Sequence, residues 1–376
     1  MKKLAGLVLI PILLLYLAIY VSFINIPVTM VYDEDRPRAE NGAFRQYEDS
    51  LYSFMMRHFV DENGAVITNV RSYEGSSDTL SESVGLLMRY CVLTGRRDQF
   101  DREAEYLRDN MLTDRNLVPW RAGKSAAACN AAIDDLRIIR ALEEAAEQWG
   151  RKDYSDLAGF LQEGLFNRQV NGRDLYEFYD WGSEKSRHRI PLCYLDLYTL
   201  DSLSEFNRGW LNVEEKGLSI VNGGRIDAAS PFYFKYYDYD SGGYAFDEEY
   251  RQDRGICLTY TLITALHLAE VNEATEELTR WLKSEMGRGK LYAWYNPHTL
   301  KPVNGMESTA VYALAAAYAD RRGEQELYTQ LVNGMLKFSV QDKKSKYFGG
   351  FGNPAAGDFH SFDNLTALWA LAISGR

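Results

Sequence analysis

Acidic residues in apolar or aromatic company are the positions of this chain best suited to chemistry. Glu82 stands in Asp78-Thr79-Leu80-Ser81-Glu82-Ser83-Val84-Gly85, followed by Leu86 and Leu87. Burial among such neighbours raises a carboxyl pKa toward the range of a general acid. A helix dipole acts the other way, so burial has to dominate. The plain alternative is a first-turn acid complementing that dipole, with Ser81 or Asp78 as the cap. A second group lies in Asn130-Ala131-Ala132-Ile133-Asp134-Asp135-Leu136. Adjacent helical residues face directions about 100° apart. Asp134 is therefore expected to cap a helix and Asp135 to enter a cleft, the alternative being two caps. A third group is Asp238 and Asp240, set among Tyr237, Tyr239 and Tyr244.

Other chemistries have less support. Cys91, Cys129, Cys193 and Cys257 are far apart, each in an apolar stretch, and form no C-x-x-C pair. They are expected to be buried, reduced and inert. The five histidines show no metal-ligand spacing, so neither metal nor organic cofactor is expected. Lys and Arg number 42 against 53 Asp and Glu, a net charge of -11 with no basic stripe. Nucleic acid is therefore not an expected partner.

The elements that hold these acids are helical by period, and they recur in pairs. Expected helices cover 44–59, 80–93, 98–110, 131–149, 154–166, 191–203, 211–221, 254–270, 275–285, 306–319, 324–338 and 364–373. One member of each pair is apolar or small on most faces and must be buried on most faces; the other is amphipathic. Six inner helices ringed by six outer ones, an (α/α)6 toroid, follow from that asymmetry. The first helix would partner the last and close the ring. No Pro/Gly-rich linker divides the body, so 32–376 is read as one domain.

Irregular stretches 112–130, 172–189, 223–253 and 288–305 each precede an inner helix and would rim one end of the ring. Trp120, Trp181, Tyr237, Tyr239 and Trp294 lie on or beside them. Flat rings beside carboxylates suit sugars, although rings of this kind also staple loops.

Ahead of the body, Leu4 to Ile24 is an uncharged, mostly apolar run of the ~20 residues that a membrane helix needs. Lys2 and Lys3 precede it, and Asp33, Glu34 and Asp35 follow. That charge order favours an N-terminus inside and a body outside. Residues 1–31 are read as an uncleaved signal-anchor, giving a single-pass protein of the cell membrane. A cleaved signal peptide is the rival reading.

Ser81-Glu82 on one inner helix and Ile133-Asp134-Asp135-Leu136 on the next, within paired helices, resemble glycoside hydrolase family 8. The likeness runs from about Asn41 to the end and is strongest to a membrane-anchored branch tied to bacterial exopolysaccharides. It implies an inverting hydrolase with Glu82 as general acid and Asp134-Asp135 holding a distorted sugar ring. The family's Ser-Glu-Gly is Ser81-Glu82-Ser83 here, and its Asp-x-Asp is compressed to two adjacent acids. Its Tyr-Asp-x-x-Arg, which supplies the base, keeps Tyr250 and Arg254 but has Arg251 in the Asp place.

The base is then expected from the loop ahead of the fourth inner helix, Asp238 first and Asp240 second. Tyr237 and Tyr239 would exclude bulk water around Asp238, and Gly242-Gly243 would bend the loop over the cleft. In an extended loop the two acids share a face and couple. Asp253 is more simply a helix cap. Inversion needs the acid and base carboxyls roughly 6.5–9.5 Å apart. The expected activity is internal cleavage of an exopolysaccharide. A uronide hydrolase or lyase, with Arg187-His188-Arg189 as its nearest feature, is one rival. A polysaccharide-binding protein that has lost its base is the other.

Overall fold

Thr309–Arg321 shows what makes an inner helix: every residue from Thr309 to Ala319 is buried, and six of those eleven are alanine. Small side chains let neighbours close in on all sides. The computed structural model describes residues 42–71, 78–247, 255–274 and 276–373. The apolar run 4–24, the boundary at residue 31, and Tyr250, Arg251, Asp253 and Arg254 lie outside them.

Twelve α-helices occur among the described residues. They are α1 (Gly42–His58), α2 (Ser81–Thr94), α3 (Arg97–Tyr106), α4 (Ala132–Trp149), α5 (Lys152–Gln169) and α6 (Leu197–Ser202). After these come α7 (Gly209–Gly223), α8 (Leu258–Glu270), α9 (Glu276–Gly287), α10 (Thr309–Arg321), α11 (Gln325–Leu336) and α12 (Ser361–Ile373). The even-numbered members α2, α4, α6, α8, α10 and α12 pack each on the next, and α12 returns to α2. The odd members lie outside, with α1 on α12 as the repeat pattern requires. The arrangement fits an (α/α)6 toroid. Gly95 (φ 70°) and Gly150 (φ 64°) end α2 and α4 in the left-handed conformation that glycine favours.

The third inner helix departs from expectation. In place of one run over 191–203, a 3-10 turn (Leu192–Tyr194) precedes α6, and another (Leu203–Glu205) follows it. Asp196 is the reason. Its carboxylate accepts from Thr199 N at 3.1 Å and Thr199 Oγ1 at 2.7 Å, restarting the helix one turn late.

Short strands stitch the rim. They are β1 (Thr79–Leu80) with β2 (Arg121–Ala122), β3 (Val170–Asn171) with β4 (Asp174–Leu175), and β5 (Tyr179–Asp180) with β6 (Lys185–Ser186). The strands β7 (Arg189–Pro191), β8 (Tyr236–Asp238) and β9 (Gly243–Ala245) form an antiparallel sheet, and β10 (Ile256–Cys257) pairs with β11 (Trp294–Tyr295). Neighbouring rim loops are thus hydrogen-bonded to one another, which fixes the side chains they carry. All four cysteines are free thiols; Cys91 and Cys193 are buried, whereas Cys129 and Cys257 are half-buried.

One buried acid makes stability depend on pH. Glu103 on α3 is fully buried; Oε1 accepts from Gln99 Nε2 at 2.7 Å, and Oε2 has no hydrogen-bond partner among the described residues. Burial pushes its carboxyl up to about 8. A folded pKa above the unfolded one binds the proton more tightly in the fold. The contribution is therefore whole below the unfolded value of ~4.3 and is lost as pH rises toward 8. Glu103→Gln should raise the melting temperature at pH 8.5 by several degrees and change it little at pH 5. Equal shifts at both pH values, read by thermal unfolding, would show that the carboxyl's charge is not the cause.

Candidate active site

The first turns of α2 and α4 meet at one point. Ser81 Oγ donates to Asp134 Oδ2 at 2.8 Å, and Arg137 Nη1 donates to Asp134 Oδ1 at 2.8 Å. Gly85 allows this approach, because a Cβ there would lie 3.2 Å from both Arg137 Cδ and Ile138 Cγ1. Ser83 Oγ, 2.8 Å from Ser361 Oγ, fixes α2 against α12. Glu82 is held at the mouth of this junction, half-buried, and its carboxyl has no hydrogen-bond partner among the described residues. Burial first, then the Asp134 charge, push it up to about 7, with Arg137 opposing. Asp134 is itself raised by burial, against the pull of Arg137 and Ser81. A carboxyl that keeps its proton near neutrality and has open oxygens is equipped to donate.

The two adjacent acids depart from expectation. Asp134, not Asp135, faces Glu82, and neither caps α4, whose N-cap is Ala131. Asp135 turns into the protein, is 1% exposed, and accepts from Val118 N at 3.2 Å and from Asn130 Nδ2. Asn130 also accepts from Tyr179 N, so Asp135 joins two rim loops to the helix. Burial pushes it up to about 8. The α2 start is likewise uncapped by a side chain: Ser81 serves Asp134, and Asp78 accepts from Ser125 N.

A second group of charges lies on the neighbouring rim. Glu177 Oε2 accepts from Arg189 Nε at 2.9 Å, with Arg187 at 4.0 Å. Tyr194, at the head of the third inner helix, has its hydroxyl pushed up by burial and then by Asp134, Glu177 and Glu82. Three carboxyl groups therefore act on one phenol. Lys235 pairs with Asp247 and lies over the rings of Tyr236 and Tyr260 at 4.9 and 4.4 Å. Sequence reasoning missed Arg137, Glu177 and Tyr194. Asp134-x-x-Arg137 has the spacing of a helical ion pair. Tyr176-Glu177-Phe178-Tyr179 is an acid among rings, the same signal that singled out Asp238.

Asp238 and Asp240 are placed in the β8–β9 hairpin. Asp238 Oδ1 accepts from Ser241 N at 2.8 Å and Ser241 Oγ at 2.7 Å, which closes the turn and lowers its pKa. Asp240 is exposed, 3.2 Å from His188 Nδ1. The two acids have separate partners. Tyr237 and Tyr239 pack on each other at 5.4 Å, and Tyr239 Oη donates to Leu175 O at 2.8 Å, so these rings staple the rim. Trp120 is 36% exposed next to Ser81, whose N donates to Trp120 O at 3.2 Å. Trp181 and Trp294 are half-buried, and Trp294 pairs with Cys257.

Asp196, His267 and Glu270 bring possible metal ligands within 4.8 Å of one another. The guanidinium of Arg140 already supplies the positive charge there, 2.9 Å from Glu270 Oε1 and 3.6 Å from Asp196 Oδ1.

The chain is 28% identical over 323 residues to YdaJ of Bacillus subtilis (strain 168), covering 84% of each. An α-amylase of Clostridium perfringens superposes with a TM-score of 0.81 at 28% identity, over 90% of this chain and 99% of that one. Endoglucanase Cel10 of Klebsiella pneumoniae, a family 8 glycosyl hydrolase, superposes with a TM-score of 0.62 at 17% identity, over 87% and 99%. The fold is that of a family 8 glycosyl hydrolase. No family model matches the sequence. The likeness of fold to the family 8 enzyme extends over 87% of the chain, well beyond the two motifs Ser81-Glu82 and Ile133-Asp134-Asp135-Leu136. Among the described residues no helix is long and apolar enough to cross a membrane.

Proposed function

We propose that this protein is a glycoside hydrolase that cuts a polysaccharide internally, with Glu82 protonating the glycosidic oxygen and the Asp134–Arg137 pair binding the sugar ring beside it. The observation that carries this reading is Glu82 itself. It is a carboxyl at the start of an inner helix, pushed up to about 7, with neither oxygen engaged by the described residues. Trp120 lies beside it as a surface for a sugar face. The outcome is inversion, and it requires a second carboxyl to activate water. The first substrate to test is a bacterial exopolysaccharide, met outside the cell by a body anchored through 4–24. An α-glucan is the second, favoured by the likeness to the Clostridium perfringens α-amylase.

Incubation of the body with exopolysaccharides, amylose and β-glucans should release new reducing ends from one of them. Proton NMR of the first product should show the inverted anomer. No reducing ends from any of these would favour the binding-protein reading. Removal of residues 1–30 should leave a folded, active body, since the first described helix begins at Gly42. The full chain should fractionate with membranes and be open to external protease. A trimmed, freely secreted form would replace the anchor with a signal peptide.

A further inference from the structure

We propose that Glu177 is the general base, taking the proton of the water that attacks the anomeric carbon. The inference rests on the glycosidase reading and adds the residue that the reading lacks. Glu177 is held by backbone on both sides. Its carbonyl accepts from Ala132 N at 3.1 Å, at the first residue of the helix that carries Asp134, and its N donates to Arg189 O at 2.9 Å. A carboxyl anchored to two rigid elements keeps its place through a reaction. Its side chain is 13% exposed, so few waters reach it at once.

The division of its oxygens suits the task. Oε2 is taken by Arg189, whose hydrogen bond at 2.9 Å fixes the direction of the carboxyl. Oε1 has no hydrogen-bond partner among the described residues. The Ala132 N–Glu177 O bond ties Glu177 to α4 two residues before Asp134, the acid bonded to Ser81 next to Glu82, and Tyr194 feels the charge of both carboxyls. Asp238, by contrast, spends Oδ1 on the two bonds that close its hairpin. Asp240 faces His188 on the exposed tip.

The step balances with water as the only co-reactant. The Glu82 proton passes to the glycosidic oxygen as the C1–O bond breaks. The oxygen of water bonds to C1 from the opposite face, and its proton passes to Glu177 Oε1. Glu82 leaves the cycle ionised and Glu177 protonated, and exchange with solvent restores both.

The test uses the wild type, Glu82→Gln, Glu177→Gln, Glu177→Ser and Asp238→Asn on the same polysaccharide. Glu177→Gln should lower kcat by about 10²-fold or more with an unchanged melting temperature. Azide should restore turnover in Glu177→Ser and give a glycosyl azide of inverted configuration, a readout that a structural role would not produce. If Glu177→Gln misfolds, azide rescue of the smaller Ser variant decides. Asp238→Asn should stay within a few-fold of wild type. Activity within a few-fold of wild type in both Glu177 variants, or azide rescue in Asp238→Asn instead, overturns the proposal and leaves the glycosidase reading intact. An active Glu82→Gln would instead overturn that reading.

Discussion

Glu82→Gln is expected to lower kcat by 10²–10⁴ or more while leaving the helical spectrum and melting temperature near wild type, because it keeps the shape and removes only the transferable proton. The pH profile adds a sign. Burial, then the Asp134 charge, hold the Glu82 carboxyl at about 7. Activity should therefore fall above pH 7, as the acid loses its proton. Asp134→Asn takes away a negative charge that raises the Glu82 pKa, so the alkaline limb of whatever activity remains should move to lower pH. Arg137→Met removes an opposing positive charge and should move the limb to higher pH. Measured kcat against pH for the three chains checks all of this. A limb that stays put in both neighbours, or near-normal turnover in Glu82→Gln, would take the acid role away from Glu82.

The ring was legible because its signal is local and repeated. Stretches such as 310–319 can be buried on every face, and stretches such as 276–282 cannot, so inner and outer helices separate by composition alone. The place of Glu82 was legible for a similar reason, an acid opening an apolar run from Val84, and it stands in the first turn of α2. The two adjacent aspartates differ from expectation, since neither caps α4 and it is Asp134 that bonds to Ser81 beside Glu82. Which of them enters the cleft depends on Ser81, 53 residues away, and on Asn130 and Val118, which draw Asp135 inward. A helix wheel gives the angle between neighbours but not the phase of the helix against the rest of the fold. The break at Asp196 was written in Asp-x-x-Thr, a capping spacing hidden inside an apolar run. Tyr237 and Tyr239 drew attention to Asp238 as rings around an acid. Their contacts run to each other and to Leu175, as loop staples do, and Glu177 carries the same sequence signal in a more rigid setting.

Arg140→Met should cost about 3–5 kcal/mol, the expected loss when one partner of a buried charge network is removed. The guanidinium is 2% exposed and donates to Glu144 Oε1 at 2.9 Å and to Glu270 Oε2 at 3.1 Å, with Asp196 Oδ1 at 3.6 Å. Its plane lies over Tyr198 at 4.3 Å. Arg89 on α2 reaches Glu144 at 3.4 Å, and Arg321 on α10 donates to the Glu270 carbonyl at 3.0 Å. Four of the six inner helices thus meet through one set of charges, and α10 joins them through a backbone carbonyl. Burial works to raise Glu270 and Asp196, but Arg140 and His267 overcome it and hold both below their ordinary values. A folded pKa below the unfolded one contributes stability above the unfolded value of ~4, lost as pH falls through the folded value. In Arg140→Met most of that contribution should be lost, because His267 is then the main charge left to oppose the burial of the two carboxyls. The variant should then be less stable than wild type at pH 7 and closer to it at pH 4. Arg140→Lys should fall between the two, since a single ammonium cannot bridge three carboxylates with fixed geometry. Urea unfolding at the two pH values measures the difference. A loss under about 1 kcal/mol at pH 7 would mean that packing around Tyr198, rather than charge, holds the inner helices in register at this point.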